Sequence, residues 1–293
     1  MTSQSLKRRN AFSAIAFLFP FLLMNGAFLV YPFLKGIWMS LHSWDLLGRE
    51  HRWVGFRNYA RMFSDPLFWT SVWHTIEFSL ITVPAITVTS LLLALVLNSR
   101  LRRYAILRAI FFATGVFSVT VVTLIWLTVL NPSRGIVGLL FHALGLEPVD
   151  VLASRLLALP AVSVATIWWS VGLPMAIFLS GLQQIPKETY EAAELDHASR
   201  WTILTQITLP ALKRTTWLVV LLQVILQFQI FGQVLLMTRG GPAYATHVLV
   251  QYIYEAGFRD WEVGYASTLS LFLFVVMFLV SLIRLRVGNR GAA

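Results

Sequence analysis

Long apolar runs without any charge dominate the hydropathy pattern. Six windows of 21 to 31 residues contain no Asp, Glu, Lys or Arg: 10–34, 78–99, 109–133, 156–186, 215–238 and 263–283. The next longest, 240–254, has 15 residues. A helix needs about 20 mainly apolar residues to cross about 30 Å of hydrocarbon, so six windows are long enough and the seventh is not. Strands of a membrane barrel would be shorter and would alternate polar with apolar positions. LFLFVVMFLVSLI (271–283) does not alternate. The pattern predicts an all-α membrane protein with six transmembrane helices. Lys7-Arg8-Arg9 ahead of the first window could also open a signal peptide. That apolar run is too long for a signal core, however, and no small-residue cleavage site follows it. The first window is therefore read as a span.

The segments between the windows carry their own signals. Residues 35–77 are rich in aromatics, from Trp38, Trp44 and Trp53 to Trp69 and Trp73, which suits anchoring at headgroup depth. Asp65-Pro66 reads as a helix start, and one or two short surface helices are expected there. Gly135, Gly138, Gly145 and Pro148 mark a turn-rich connection. Gly240-Gly241-Pro242 predicts a tight turn with left-handed backbone angles. Gly172 and Pro174 predict a kink in the fourth span. Residues 187–214 form a longer connection than two adjacent helices require. Within it Pro186, Glu188 and Glu191 favour a helix start. Tyr190, Ala193 and His197, with Ala192 and Leu195, recur at near-helical spacing. A second short helix is expected over 199–207.

Composition sharpens this picture. The chain is 57% hydrophobic and 12% charged, against about 45–50% and about 25% in soluble proteins. A soluble fold would expose far too much apolar surface. With no cysteine, disulfides, iron–sulfur clusters and thiol chemistry are excluded. The formal charge of +10 is resolved by placement. With the N-terminus in the cytoplasm, the inner pieces 1–9, 100–108, 187–214 and 284–293 hold 14 Lys and Arg against four acids, Glu188, Glu191, Glu194 and Asp196. The outer pieces balance at nine and nine. The whole excess therefore faces inward, as the positive-inside rule requires, and meets anionic lipid. Nucleic-acid binding, which would want a basic face on a soluble fold, is not expected.

The four inner acids all lie on one loop. An acidic amphipathic helix with small apolar residues suits docking in a groove of another protein. The alternative is a helix lying on lipid, a poor match for an acidic face against a negative leaflet. In the fifth window Gln223, Gln227 and Gln233 fall within an arc of about 120°. Amides in hydrocarbon are costly unless paired. Two readings stay open: interhelical hydrogen bonding, or hydroxyl recognition along a solute pathway with Phe228, Phe231 or Trp217 stacking on sugar faces. Trp168, Trp169 and Ser170 are similar candidates. No metal site is expected, because the six histidines are scattered and H-E-x-x-H is absent. An ion-coupled secondary transporter of a small polar solute is the main rival. Such proteins usually carry an ionisable residue inside the membrane, and the six windows hold none of Asp, Glu, Lys or Arg. A membrane enzyme would want an intramembrane Asp pair or a metal motif.

EAAELDHASRWTILTQITLP (191–210) resembles the EAA loop of binding-protein-dependent ABC importer permeases, E-A-A, two residues, D-G-A, then a stretch ending in L-P. Glu191, Ala192, Ala193, Asp196, Ala198, Leu209 and Pro210 fall on the pattern. His197 stands where the family usually has Gly, which serves a sharp turn between two short helices. His can occupy left-handed angles at some strain, so the geometry of this turn is the open question. VGFRNYARMFSDPLFW (54–69), MTRGGPAYATHVLVQYIYEAGF (237–258) and GYASTLSLFLF (264–274) are similar to segments of the carbohydrate permeases of maltose and glycerol-3-phosphate type.

The resemblance implies a single transmembrane domain over 1–293, with spans near 11–34, 78–99, 108–131, 158–182, 214–237 and 264–285. It implies cytoplasmic termini and a coupling loop at 187–210. It implies one permease subunit of an ATP-driven sugar importer in a bacterial inner membrane, forming half of the pathway and performing no catalysis itself. The coupling residues would be Glu191, Ala192, Ala193, Asp196, His197 and Ala198. The partners would be a second, related but different permease subunit, a cytoplasmic ATPase dimer, an extracytoplasmic solute-binding protein, a sugar or polyol substrate, and membrane lipid. No G-x-x-x-x-G-K-[ST] phosphate loop is present, so ATP and Mg are expected on the ATPase and no cofactor on this chain.

Overall fold

The computed structural model describes residues 17–45, 51–99 and 101–289. The basic N-terminal residues 1–9, the start of the first expected span, Arg100 and residues 290–293 lie outside them. The elements in order are α1 (Phe17–Ser40), which includes a π-helical stretch Gly26–Val30, and the short strands β1 (His42–Ser43) and β2 (Arg52–Trp53). Then follow α2 (Arg57–Ser64), α3 (Pro66–Leu97), α4 (Arg102–Thr114), α5 (Val119–Val129), α6 (Ile136–Ala143), α7 (Ala158–Ser170) and α8 (Gly172–Gln183). The remainder is α9 (Lys187–Leu195), α10 (Arg200–Ala211), α11 (Lys213–Phe228), α12 (Gly232–Met237), α13 (Leu249–Tyr254) and α14 (Val263–Asn289). The chain is mostly helical.

Among the described residues, three helices are long and apolar enough to cross a membrane: Phe17–Ser40, Pro66–Leu97 and Val263–Leu282. Three bent pairs also qualify, α4 with α5 at 100°, α7 with α8 at 47°, and α10 with α11 at 62°. The third and fourth charge-free windows are therefore not single straight helices, and the third bent pair breaks at Leu212, just ahead of the fifth window. Gly115 ends α4, and Ser118 caps α5 by accepting from the Val121 N–H at 3.4 Å. The fifth window breaks after Phe228, where Gln229–Phe231 separate α11 from α12. The second window begins late. α3 starts at Pro66, as Asp65-Pro66 predicts, and its first turns carry the exposed Trp69 and Trp73.

Contacts group the chain into two compact units. One comprises the residues up to Asp65 together with Ile253–Val275. In it the β1–β2 hairpin and α2 are tied down by polar contacts. Asn58 Nδ2 donates to the Ser40 and His42 carbonyls at 2.8 and 3.0 Å, and Ser40 Oγ and the Tyr59 hydroxyl lie 2.8 Å apart. Arg61 pairs with Glu262 at 2.7 Å and lies 4.1 Å over the Tyr265 ring, whose hydroxyl donates to Asp65 at 2.9 Å. Part of the aromatic segment is thus a tethered cap: Trp38, His42, Trp44, His51 and Trp53 pack ring against ring at 3.7 to 5.4 Å.

The second unit spans Pro66–Tyr252 and the chain after Val275. There α3 packs against α7, α8 and α11. One apolar core gathers Phe78, Val162, Ala165, Ile230 and Val234, and another gathers Ala94, Met175, Phe178, Leu212 and Val219. The buried face of α3 is not purely apolar. Ser71, Thr75, Ser79, Thr82, Thr87 and Ser90 are buried, and each hydroxyl donates to the carbonyl four residues back. Small side chains that satisfy themselves in this way let helices approach closely in hydrocarbon.

The Gly172–Pro174 kink has a packing cause as well as a backbone one. A Cβ on Gly172 would sit 2.4 Å from the Phe111 carbonyl oxygen, so α8 meets the α4 backbone there. Pro174 leaves a carbonyl of the preceding turn without its helical donor. Around the break, Thr114 and Ser90 hydroxyls reach the Trp169 and Val171 carbonyls, each at 3.3 Å. A bent span in hydrocarbon needs such partners.

Candidate functional site

The acidic loop is two helices joined by one tight turn. α9 runs Lys187–Leu195, with Pro186 before it and Glu188 in its first turn. Asp196 ends the helix, and His197 takes a left-handed φ of +54°. The His197 N–H bonds to the Glu194 carbonyl at 3.0 Å and the Ala198 N–H to the Ala193 carbonyl at 2.9 Å. This is a Schellman closure, in which the last carbonyls are satisfied across a left-handed residue. The turn therefore forms with His in the place of Gly. Ser199 then caps α10, its Oγ accepting from the Thr202 N–H at 3.1 Å.

α10 extends beyond the expected 199–207, through Pro210 to Ala211. It does so by loosening into a π-helical turn, Ile203–Thr208, just ahead of the proline. Pro210 cannot donate to the preceding turn, and a π-bulge is a recognised way to absorb that. The Tyr190 hydroxyl lies 3.2 Å from Thr208 Oγ1, which holds α9 on α10.

The two alanines of the motif are not equivalent. Ala193 is buried within the chain, whereas Glu191, Ala192, Asp196 and His197 are exposed and Ala198 is half-buried. Beside these acids Leu195 is 81% and Trp201 72% exposed. The loop thus presents carboxylates, a small-residue patch and two large apolar side chains on one short segment, as a docking surface requires. A left-handed L-residue costs about 1 kcal/mol. His197→Gly should therefore tighten the turn and slow amide hydrogen exchange at Ala198; faster exchange would contradict the strained-turn account.

The glutamines of the fifth window are internal. Gln223, Gln227 and Gln233 are 2%, 3% and 5% exposed, and Gln227 Nε2 donates to Gln223 Oε1 at 3.0 Å. Phe228 precedes the break at 229–231 and Phe231 ends it, both half-buried, while Trp217 and Trp168 are exposed. The Trp168 ring lies 6.1 Å from that of Trp126. On the same helix as Trp126, Thr123 Oγ1 is buried without a hydrogen-bond partner, as is the Trp126 Nε1 atom.

The Gly-Gly-Pro segment is more compact than a simple turn. Gly240 has φ +80°, the Gly241–Pro242 peptide is cis, and Arg239, Ala243 and Tyr244 also have positive φ. Thr246 bonds the Gly241 carbonyl at 2.8 Å, and the buried His247 lies 2.8 Å from Ser71 Oγ. This cluster and the hydroxyl stripe of α3 escape a reading by charge-free windows. The regular spacing of Ser71, Thr75, Ser79 and Thr82 was the available signal. Among the described residues no group of three His, Cys, Asp or Glu could hold a metal ion.

Long apolar helices, broken where hydroxyls and amides gather, and an acidic helix–turn–helix beside them, define a helical membrane transport protein. The chain belongs to the family described as binding-protein-dependent transport system inner membrane component, which matches residues 86–290; it is an ABC transporter permease. It is 32% identical over 290 residues to the trehalose/maltose transport system permease protein MalF of Thermococcus litoralis, covering 98% of this chain and 97% of that one. It is 30% identical over 275 residues to the sulfoquinovosyl glycerol transport system permease protein SmoG of Agrobacterium fabrum, covering 94% and 89%. Its fold matches a chain of a bacterial ABC transporter involved in the import of the acidic polysaccharide alginate, with a TM-score of 0.86, 22% identity and 99% of both chains covered.

Proposed function

We propose that this chain is one permease subunit of an ATP-driven, binding-protein-dependent sugar importer in a bacterial inner membrane. Six spans, three of them bent, carry both termini to the cytoplasm and supply half of the translocation pathway. A related but different permease supplies the other half. A cytoplasmic ATPase dimer binds ATP and Mg, an extracytoplasmic binding protein delivers the sugar or polyol, and this chain holds no cofactor. Family membership and the sugar-transport names of the relatives support the importer.

The observation that carries the coupling role is the acidic loop. Its turn holds Glu191, Ala192 and Asp196 outward on a rigid helix pair. Carboxylates there would form charge-assisted hydrogen bonds with the ATPase, and Ala192 would let its backbone come close. The chain has no native cysteine, so a single introduced one is unique. Asp196→Cys should cross-link to the ATPase subunit in the assembled transporter, and His51→Cys, on the outer segment, should not. Failure of the first, or equal yields from both, would contradict the proposed docking.

The substrate pathway is proposed to run past the helix break at 229–231. Trp168, Phe228 and Phe231 are the stacking surfaces, and Gln223, Gln227 and Gln233 the hydrogen-bonding groups. Replacing one member of the amide pair leaves the other buried and unsatisfied, at about 1–3 kcal/mol. Replacing both Gln223 and Gln227 by Leu removes that penalty. The double variant should therefore keep its thermal stability and lose about tenfold or more in uptake, the equivalent of about 1.4 kcal/mol of solute binding. Unchanged uptake would remove both glutamines from the pathway and leave them as a structural pair.

A further inference from the structure

Behind the acidic loop, a groove of about 500 Å³ opens where the end of α8 and the start of α9 meet α10 and α11. Its polar lining comes from Gln184, Thr189, Gln206, Arg214 and Thr215, and its apolar lining includes Ile185 and Ile207. No carboxylate and no aromatic ring lines it. All four acids of the loop lie elsewhere. The guanidinium of Arg214 is exposed and makes no ion pair or hydrogen bond among the described residues. A sugar is read by mixed donors and acceptors together with ring faces. This lining has no ring face, and beside neutral groups that can donate, its one formal charge is a permanent cation, the chemistry that receives phosphate oxygens. Apolar side chains beside those donors match the boundary between a phosphate headgroup and its glycerol and acyl carbons. A fully hydrated free anion has no use for them.

We propose that this groove binds the phosphate of an anionic membrane lipid, with Arg214 as its principal ligand and Gln206, Thr189 and Thr215 as supporting donors. Basic pockets between helices on the cytoplasmic side of a membrane are suited to such headgroups. The proposal rests on the cytoplasmic placement of the loop given above. The site joins the two sides of a hinge: Thr189 and Gln206 belong to α9 and α10, while Arg214 and Thr215 begin α11, which bends 62° from α10. A bound headgroup would therefore brace the loop against the span that follows it.

The test is lipid retention by the purified transporter, taken from nanodiscs of phosphatidylcholine with or without phosphatidylglycerol and counted by native mass spectrometry. Wild-type should retain phosphatidylglycerol that Arg214→Gln holds about tenfold more weakly or worse, from the loss of a charge-assisted fork. Arg214→Lys, which keeps the charge and loses the fork, should fall between. Arg134→Gln, an exposed cation on the charge-balanced outer side, should behave as wild-type, and matching size-exclusion profiles report folding. An Arg214-dependent site that takes inorganic phosphate but no phosphatidylglycerol overturns the lipid assignment. Equal retention by wild-type and Arg214→Gln, or equal loss in Arg134→Gln, overturns the site altogether. The count needs no transport. A complex that discriminates lipids but shows no binding-protein-stimulated ATPase activity contradicts the proposed function alone.

Discussion

Ala192→Trp should cut ATPase stimulation by the solute-loaded binding protein at least about tenfold, while the permease stays folded and membrane-inserted. Ala192 is exposed on α9 between Glu191 and the buried Ala193. An indole there changes nothing inside the chain, but it would hold off any partner that must approach the helix backbone. Overpacking a tight contact typically costs about 1–3 kcal/mol, and about 1.4 kcal/mol already corresponds to tenfold in binding. The choice of position matters. Ala193→Trp would force a large ring into the chain's own packing, in the loop where Tyr190 meets Thr208, so its loss of coupling could reflect a damaged loop. Stimulation measured on reconstituted complexes, with the basal rate as internal reference, checks this. Wild-type stimulation in Ala192→Trp would contradict docking through this face.

Gly172→Val should destabilise the permease by about 3 kcal/mol and lower its melting temperature in detergent. The Cβ alone would stand 2.4 Å from the Phe111 carbonyl oxygen and 2.9 Å from the Phe112 Cα. Both are backbone atoms of α4, so no side chain can swing aside, and the helices must separate. Separation would also pull the Trp169 and Val171 carbonyls away from Thr114 and Ser90. Gly26→Ala is the control, because a Cβ there meets nothing within 4 Å, and it should melt as wild-type does. Equal melting of Gly172→Val and wild-type would show that the α4–α8 approach is not the reason for this glycine.

The sequence was most informative where one physical rule acted alone. Charge-free length found the apolar segments, because hydrocarbon excludes charge whatever the helix geometry. Asp65-Pro66 marked the start of α3, and Gly172 with Pro174 marked the bend between α7 and α8. The same rule is blind to bends inside an apolar window. The breaks at 115–118 and 229–231 need no charged residue: Ser118 and the Trp169 indole serve the backbone at the first, and backbone turns from Gln229 and Ile230 to Leu226 and Gln227 serve the second. Gly115 and Ser118, a helix end followed by a cap, were a readable sign of the first. No comparable punctuation precedes Gln229. The acidic loop was legible through its acids and alanines. The different fates of Ala192 and Ala193 were not, because neighbouring residues on one short helix differ in burial only through the fold around it, including a turn in which His197 takes a left-handed angle.

The most direct test of the central claim is sugar uptake into proteoliposomes, scored for its dependence on ATP and on the binding protein. The account predicts uptake only when this chain, its partner permease, the ATPase and the loaded binding protein are all present with ATP, and no response to an imposed proton or sodium gradient. Gradient-driven uptake by vesicles containing this chain alone would contradict it.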